Sequence, residues 1–330
     1  MPQTSLEMSS EIHVHHPGPA LHALVLAGGN GSRVAGLTRD QEGRCVPKQY
    51  AVVSGGRTMI QTALGRARRL VPDDRTFVVV AREHDLWWRR ELRTLPSANV
   101  VIQPKNRGTA AGILLPLLRI LQRHPEPRIV VLPSDHHVED EAALETAMTQ
   151  ALEAVDRDAG RVVLLGATPQ HPDTEYGWVV PSRSHEDLLG LEAFVEKPER
   201  ETARRLMERG ALLNTAILVA GGRALVQLYT KHLPGLLGAF AAWRDEEHGD
   251  GGALERLYET LSTHDFSREV LTPAAPELFA VPISDCGFMD LGTPARLEHF
   301  RSRQEHEARF RSVDPPPGES LQPGSAGAPR

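Results

Sequence analysis

The stretch that decides the fold runs from residue 22 to residue 33 and reads HALVLAGGNGSR. Its first half, residues 22–27, is an apolar run of the kind that becomes a strand buried on both faces of a parallel sheet. That strand ends in Ala27 and runs directly into Gly28, Gly29, Gly31 and Ser32. Glycines in this place let backbone N–H groups approach a phosphate with no Cβ in the way. A dinucleotide fingerprint needs a third glycine where Val34 stands, and a Walker A loop needs Gly-Lys-Ser/Thr; both are absent. The loop does offer two cations, Arg33 and the lysine of Pro47-Lys48-Gln49. A forked guanidinium beside a point-like ammonium suits a pyrophosphate leaving group. The bland alternative is a tight glycine turn flanked by two solvated cations.

Outward from the loop, short runs rich in Val, Ile and Leu recur at residues 76–81 (TFVVVA), 100–103, 128–132 (RIVVL) and 161–166. Helical spacing fills the gaps at residues 58–70, 83–95, 108–123 and 139–156, with Pro116 predicting a kink or a late start in the third. This alternation predicts an α/β doubly wound sheet with ligands at the carboxyl ends of its strands. After residue 170 the rhythm changes to strand-like pieces at 176–181 and 190–196, a helix at 199–209, a strand at 215–220 and helices to 261. That half is expected to extend the first sheet rather than form an independent domain.

The chain has 330 residues, 37 basic against 43 acidic side chains and a formal net charge of −6. With 40% hydrophobic and 24% charged residues it is composed as a globular protein, not a disordered one. No apolar run approaches the ~18 residues of a membrane span, and mild acidity speaks against a nucleic-acid-coating surface. Cys45 and Cys286 cannot build a disulfide framework and are read as reduced thiols. Residues 1–20 lack the basic and apolar segments of a secretory signal, so a cytoplasmic location is expected. The histidines at 13, 15 and 16 lie on that polar arm, with no carboxylate beside them to fix them as metal ligands. The expected organisation is a disordered arm over 1–20, one catalytic domain over 21–311 and a Pro/Gly-rich disordered tail over 312–330. Arg66, Arg68 and Arg69 read as a solvated helix face, and Trp87-Trp88 as packing.

Further motifs follow in order. They are Gln103-Pro104-Lys105-Asn106-Arg107-Gly108-Thr109, Leu132-Pro133-Ser134-Asp135-His136, Glu175-Tyr176-Gly177-Trp178 and Val195-Glu196-Lys197-Pro198. Asn214 and the segment Asp285-Cys286-Gly287-Phe288-Met289-Asp290-Leu291-Gly292 complete the series. With the glycine loop and Pro47-Lys48-Gln49, this order resembles the sugar-1-phosphate nucleotidylyltransferases. The P-K-Q ending resembles the mannose-1-phosphate guanylyltransferases more than the thymidylyl or uridylyl enzymes. The resemblance implies a Rossmann-like nucleotide-diphospho-sugar transferase fold with a mixed, mainly parallel central sheet flanked by helices.

It also implies attack by a sugar-1-phosphate oxygen on the α-phosphorus of a nucleoside triphosphate, with GTP and mannose-1-phosphate favoured. The nucleophile is already an anion, so the chemical problem is bringing polyanions together and stabilising charge. Asp135 and Asp290 are the expected Mg²⁺ ligands, with Asp285 a weaker third. Arg33, Lys48 and Lys197 are the expected catalytic cations. Ala27, Gly28, Gly29, Gly31, Ser32, Gln103, Asn106, Gly108 and Thr109 are expected around the nucleotide. Gly177, Glu196, Lys197 and Asn214 are expected around the sugar phosphate. Taken singly, Asp135 could be a helix cap, a role open also to Ser134 and Asp140, and Asp290 a turn residue. Partners are thus the two substrates, with no nucleic acid or membrane; a homodimer is left open. Gly36, Leu213, Ala216 and Phe288-Met289 depart from the family pattern, and a Cβ at Ala216 is expected to crowd the sugar. A related enzyme with another base, or a catalytically weak nucleotide-sugar-binding homologue, is the alternative.

Overall fold

The apolar run before the glycine loop becomes an interior strand. In a computed structural model of the chain, Leu21–Ala27 (β1) has a parallel neighbour on each side. The structure describes residues 19–311 except 35, 41, 55, 186–187, 247–251 and 285. The histidines at 13, 15 and 16, Asp285 and the expected tail over 312–330 lie outside the described residues, as does the expected arm up to residue 18.

A small ribbon, Val52–Ser54 (β2) with Arg57–Thr58 (β3), leads into helix Met59–Leu70 (α1). Thr58 starts that helix: its hydroxyl accepts from the Gln61 N–H while the Gln61 side chain accepts from the Thr58 N–H. Next come Thr76–Ala81 (β4), Asp85–Glu91 (α2), Val100–Gln103 (β5), Gly108–Arg123 (α3) and Arg128–Pro133 (β6). Pro116 neither delays nor ends α3, which starts at Gly108 and runs through it. A mid-helix proline costs about 3 kcal/mol. Burial of Ile113, Leu114, Leu115 and Leu117 against the sheet offsets it.

The chain continues through His136–His137 (β7), Glu141–Arg157 (α4), Val162–Ala167 (β8), Gly177–His185 (β9), Leu188–Glu196 (β10) and Arg200–Glu208 (α5). It then forms Leu212–Gly221 (β11), Gly222–His232 (α6), Pro234–Glu246 (α7), Ala253–Thr260 (α8) and the single turn Thr272–Ala274 (α9). Phe279–Ile283 (β12), Met289–Asp290 (β13) and Pro294–Arg311 (α10) follow.

Nine strands share one sheet in the order β5-β4-β1-β6-β11-β8-β12-β10-β9. Its pairings make β11 and β10 run against the other seven strands. The second half of the chain therefore extends the first sheet, as its altered rhythm predicts. Helices cover both faces. Ala63 and Ala67 of α1 pack with Leu144 and Ala151 of α4 on one, and α3, α6, α7 and α8 cover the other. The carboxyl ends of β1, β4, β5 and β6 open on one edge, where the glycine loop lies. None of the helices among the described residues is long and apolar enough to cross a membrane.

Candidate active site

Gln49 fixes the loop that leaves β1. It is buried, and its Nε2 donates to the carbonyl oxygens of Ala27 and Gly29 at 2.9 Å each. Gly28 lies close under Gln103, because a Cβ there would stand 2.5 Å from Gln103 Nε2 and push that side chain aside. Gly31 takes φ +59°, and a Cβ on it would stand 3.0 Å from the Lys48 backbone nitrogen. Among the described residues, nothing lies within 4 Å of a Cβ on Gly29. Ser32 begins a short 3-10 turn that also holds Arg33. Two residues of Pro47-Lys48-Gln49 thus serve the loop, the glutamine as a brace and the lysine as a wall.

Lys48 is buried, and its ammonium is paired with two carboxylates. Nζ donates to Asp290 Oδ1 at 2.7 Å and to Asp135 Oδ2 at 3.1 Å. Asp135 leaves the end of β6 beside Ser134, whose hydroxyl donates to the Leu26 carbonyl oxygen of β1. Asp140 caps α4, accepting from the Ala142 and Ala143 N–H groups, so the cap is not the role of Asp135. Asp290 arrives from the far end of the chain because β13 pairs antiparallel with β7, setting Asp290 against His136. The ligand atoms of Asp135, His136 and Asp290 lie within 4.8 Å of one another.

Burial alone would raise the Asp290 carboxyl, but His136, Lys48 and Arg296 outweigh it and hold it down at about 2. Burial pushes the His136 imidazole down, against the pull of Asp135 and Asp290, and its Nε2 stands 3.7 Å from Asp135 Oδ1 and 3.9 Å from Asp290 Oδ1. Two ionised carboxylates are the oxygen donors that hard divalent cations prefer, so this donor set fits Mg²⁺. Behind it, Arg66 corrects the expectation of a solvated helix face. Only 2% exposed, it pairs with Glu141 and donates from Nη1 to the His136 carbonyl oxygen at 3.1 Å. Local helix spacing showed which face of α1 is polar and carried no sign that α4 would cover it.

A cavity of about 330 Å³ joins the parts, lined by Gly31, Arg33, Lys48, Asn106, Asp135 and Asp290 among others. Arg33 crosses its mouth to an exposed pair with Glu175 at 3.0 Å. Asn106 donates to Asn30 Oδ1 and accepts from the Gly108 N–H. Gly108 has φ +83°, and a Cβ on it would collide with the His264 carbonyl oxygen at 2.2 Å. Thr109 Oγ accepts from the Phe266 N–H, and Gln103 Oε1 accepts from the Tyr258 hydroxyl at 3.1 Å. The segment from Gln103 to Thr109 is thus tied down by the second half of the chain.

Gly177, Glu196, Lys197 and Asn214 lie outside that lining. A Cβ on Gly177 would stand 2.6 Å from the Phe194 ring and 2.8 Å from Glu196 Oε2. Burial pushes the Glu196 carboxyl up, and Lys197, with Nζ 3.9 Å from Glu196 Oε1, pulls it back. Lys197 has φ +47° and Ala216 φ +55°, conformations that favour glycine. Asn214 Oδ1 accepts from the Ala216 N–H at 3.1 Å and so stabilises this irregularity within β11. The departure at Ala216 therefore carries a backbone cost, beyond the crowding its Cβ was expected to bring. Tyr176, seen in the sequence only as a neighbour of Gly177, joins the two groups. Its carbonyl oxygen accepts from the Lys197 N–H at 3.1 Å, and its hydroxyl oxygen from the Asp290 N–H at 2.8 Å.

Comparison with known proteins shows the family. Mannose-1-phosphate guanylyltransferase of Escherichia coli (strain K12) is 33% identical over 230 residues, covering 66% of this chain and 46% of its own length. Xanthan biosynthesis protein XanB of Xanthomonas campestris pv. campestris (strain B100) is 29% identical over 280 residues, covering 83% of this chain and 58% of its own. The chain spans about half the length of these curated relatives. A crystal structure from Thermus thermophilus, described as a mannose-1-phosphate geranyltransferase, superposes with a TM-score of 0.75 at 29% identity. It covers 86% of this chain and 79% of its own. Residues 22–248 match the family described as nucleotidyl transferase, and the chain belongs to that family.

Proposed function

We propose that the protein transfers a nucleotidyl group from a nucleoside triphosphate to a sugar-1-phosphate, giving an NDP-sugar and pyrophosphate. GTP and mannose-1-phosphate are the favoured pair, on the strength of the P-K-Q motif and the names of the relatives. The observation that carries the reading is the Lys48 ammonium between Asp135 and Asp290, beside a glycine loop at the end of a central strand.

In this reading the loop from Ala27 to Ser32 turns its backbone toward the triphosphate, with Arg33 and Lys48 as its cations. Gln103, Asn106, Gly108 and Thr109 border the base. Asp135 and Asp290 hold Mg²⁺, which supplies charge neutralisation at the reacting phosphates. Gly177 gives the sugar ring access, Glu196 and Asn214 take hydroxyls and Lys197 takes the acceptor phosphate. A sugar-phosphate oxygen forms the new bond to the α-phosphorus as the bond to the β-phosphate oxygen breaks. The electron pair leaves on pyrophosphate, and no general base is needed. Residues 21–311 act as one catalytic unit, because Gly31 and Asp290 border the same cavity.

The test is a matrix of nucleoside triphosphates against sugar-1-phosphates with Mg²⁺, read by pyrophosphate release. Turnover with GTP and mannose-1-phosphate above all other pairs is the expected result. Turnover with another pair reassigns base or sugar. Nucleotide binding without product from any pair overturns the reading in favour of a regulatory homologue.

A further inference from the structure

Asp290 sits on a ribbon of two residues, too short to hold a carboxylate by its own pairing. A second set of contacts does hold it. Tyr176 Oη accepts from the Asp290 N–H at 2.8 Å. The guanidinium of Arg296, on α10, lies 4.3 Å from the centre of the Tyr176 ring. Arg296 Nη2 donates to both oxygens of Asp173 at 2.6 Å, and the Asp173 side chain is 8% exposed. Asp173 in turn accepts from the Glu175 N–H, and its carbonyl oxygen accepts from the Trp178 indole N–H. Among the described residues, Arg296 Nη1 is buried with no hydrogen-bond partner, and it lies 3.8 Å from Asp290 Oδ2. A buried guanidinium nitrogen left without a hydrogen bond is costly, and here the nearest anionic oxygen it faces belongs to Asp290.

We infer that Arg296 is a positioning residue for Asp290. Held by Asp173 and stacked on Tyr176, it fixes the ring whose hydroxyl holds the Asp290 backbone and presents a charge that orients the Asp290 carboxylate. The inference rests on the proposed role of Asp290 as a cation ligand. Residues that orient a metal ligand from behind typically change affinity by about 10–100-fold when removed.

The probe is Mn²⁺, titrated into the full chain without substrates and followed by electron paramagnetic resonance. Asp290→Asn should abolish tight Mn²⁺ binding; if it does not, the reading of Asp290 as a ligand fails. Given that result, Arg296→Met should weaken Mn²⁺ about 10-fold, and at saturating metal should lower kcat more than it changes either substrate KM. Arg296 also borders a second cavity of about 460 Å³, which gives a small cation a way in. Arg296→Ala should therefore regain Mn²⁺ affinity with millimolar guanidinium, a rescue that a purely structural loss does not give. Because Arg296→Met leaves the Asp173 charge unpaired, Tyr176→Phe serves as the gentler variant. It should weaken Mn²⁺ in the same direction and combine non-additively with the change at Arg296. Unchanged Mn²⁺ affinity in folded Arg296→Met or in Tyr176→Phe, beside its loss in Asp290→Asn, overturns the inference alone.

Discussion

The Lys48 ammonium stands 2.7 Å from the Asp290 carboxylate, although 242 positions separate them in the chain. The same ammonium reaches Asp135, and a single positive charge cannot neutralise two carboxylates. A cation entering between the acids would compete with Lys48 and free its ammonium for a phosphate.

Asp135→Asn and Asp290→Asn keep the side-chain size and remove the charge. Each should lower turnover about 100-fold or more, as expected when several kcal/mol of metal-borne charge stabilisation is lost. Asp135 is the more exposed, so its variant should melt close to the parent temperature. Pyrophosphate release and a thermal melt, measured together, decide the matter. Retained turnover with a large loss of stability would make the carboxylate structural.

Two glycines should separate the substrate sites. Gly28→Ala would press its methyl group on Gln103 and raise the KM for the triphosphate. Gly177→Ala would press on Phe194 and Glu196 and raise the KM for the sugar phosphate. About 10-fold is expected for each, in line with the ~1–3 kcal/mol that overpacking costs. Steady-state kinetics with each substrate varied in turn would show a crossed or shared effect if the two sites are not divided this way.

Ala216 holds φ +55° without being glycine. A non-glycine residue in this region costs about 1–2 kcal/mol, partly offset in a glycine variant by a freer unfolded chain. Ala216→Gly should therefore stabilise the fold by about 0.5–1 kcal/mol, read from urea denaturation. A lower midpoint would mean that the methyl group contributes more than its backbone strain costs.

His22 predicts a pH dependence away from the site. Burial, helped by His124 at a ring separation of 4.4 Å, brings its imidazole down to about 4. Its unfolded value is 6.5, so as pH falls from there toward 4 the unfolded chain takes up the proton first and stability drops. The drop from this group amounts to at most about 3 kcal/mol, at about 1.36 kcal/mol per unit. His22→Phe should flatten the change in urea midpoint between about pH 7 and about pH 4.5. An unaltered slope would assign the effect to other groups.

Strand and helix identity was legible because buried parallel strands leave near-continuous apolar runs, as at residues 76–81 and 128–132. The junction of β1 with its glycines, and of β6 with Asp135, followed from that pattern alone. The pairing of Asp290 with His136 did not, because a two-residue strand leaves no periodic signal. Arg66, Tyr176 and Arg296 escaped for a related reason. Each acquires its role from an element far away in sequence, and local spacing contains no information about what will cover a side chain. Pro116 shows the opposite error, in which a strong local rule yields to tertiary burial.

The place of β12 between β8 and β10 has a consequence for biosynthesis. Until residues 279–283 leave the ribosome, β8 and β10 each keep an unpaired edge, although their other neighbours are already made. Pairings of such long sequence separation form slowly, and open strand edges in the meantime invite aggregation. The nascent chain thus carries two open strand edges while residues 197–278 are made, and gains the Asp290 carboxylate opposite Lys48 only a few residues after those edges are sealed.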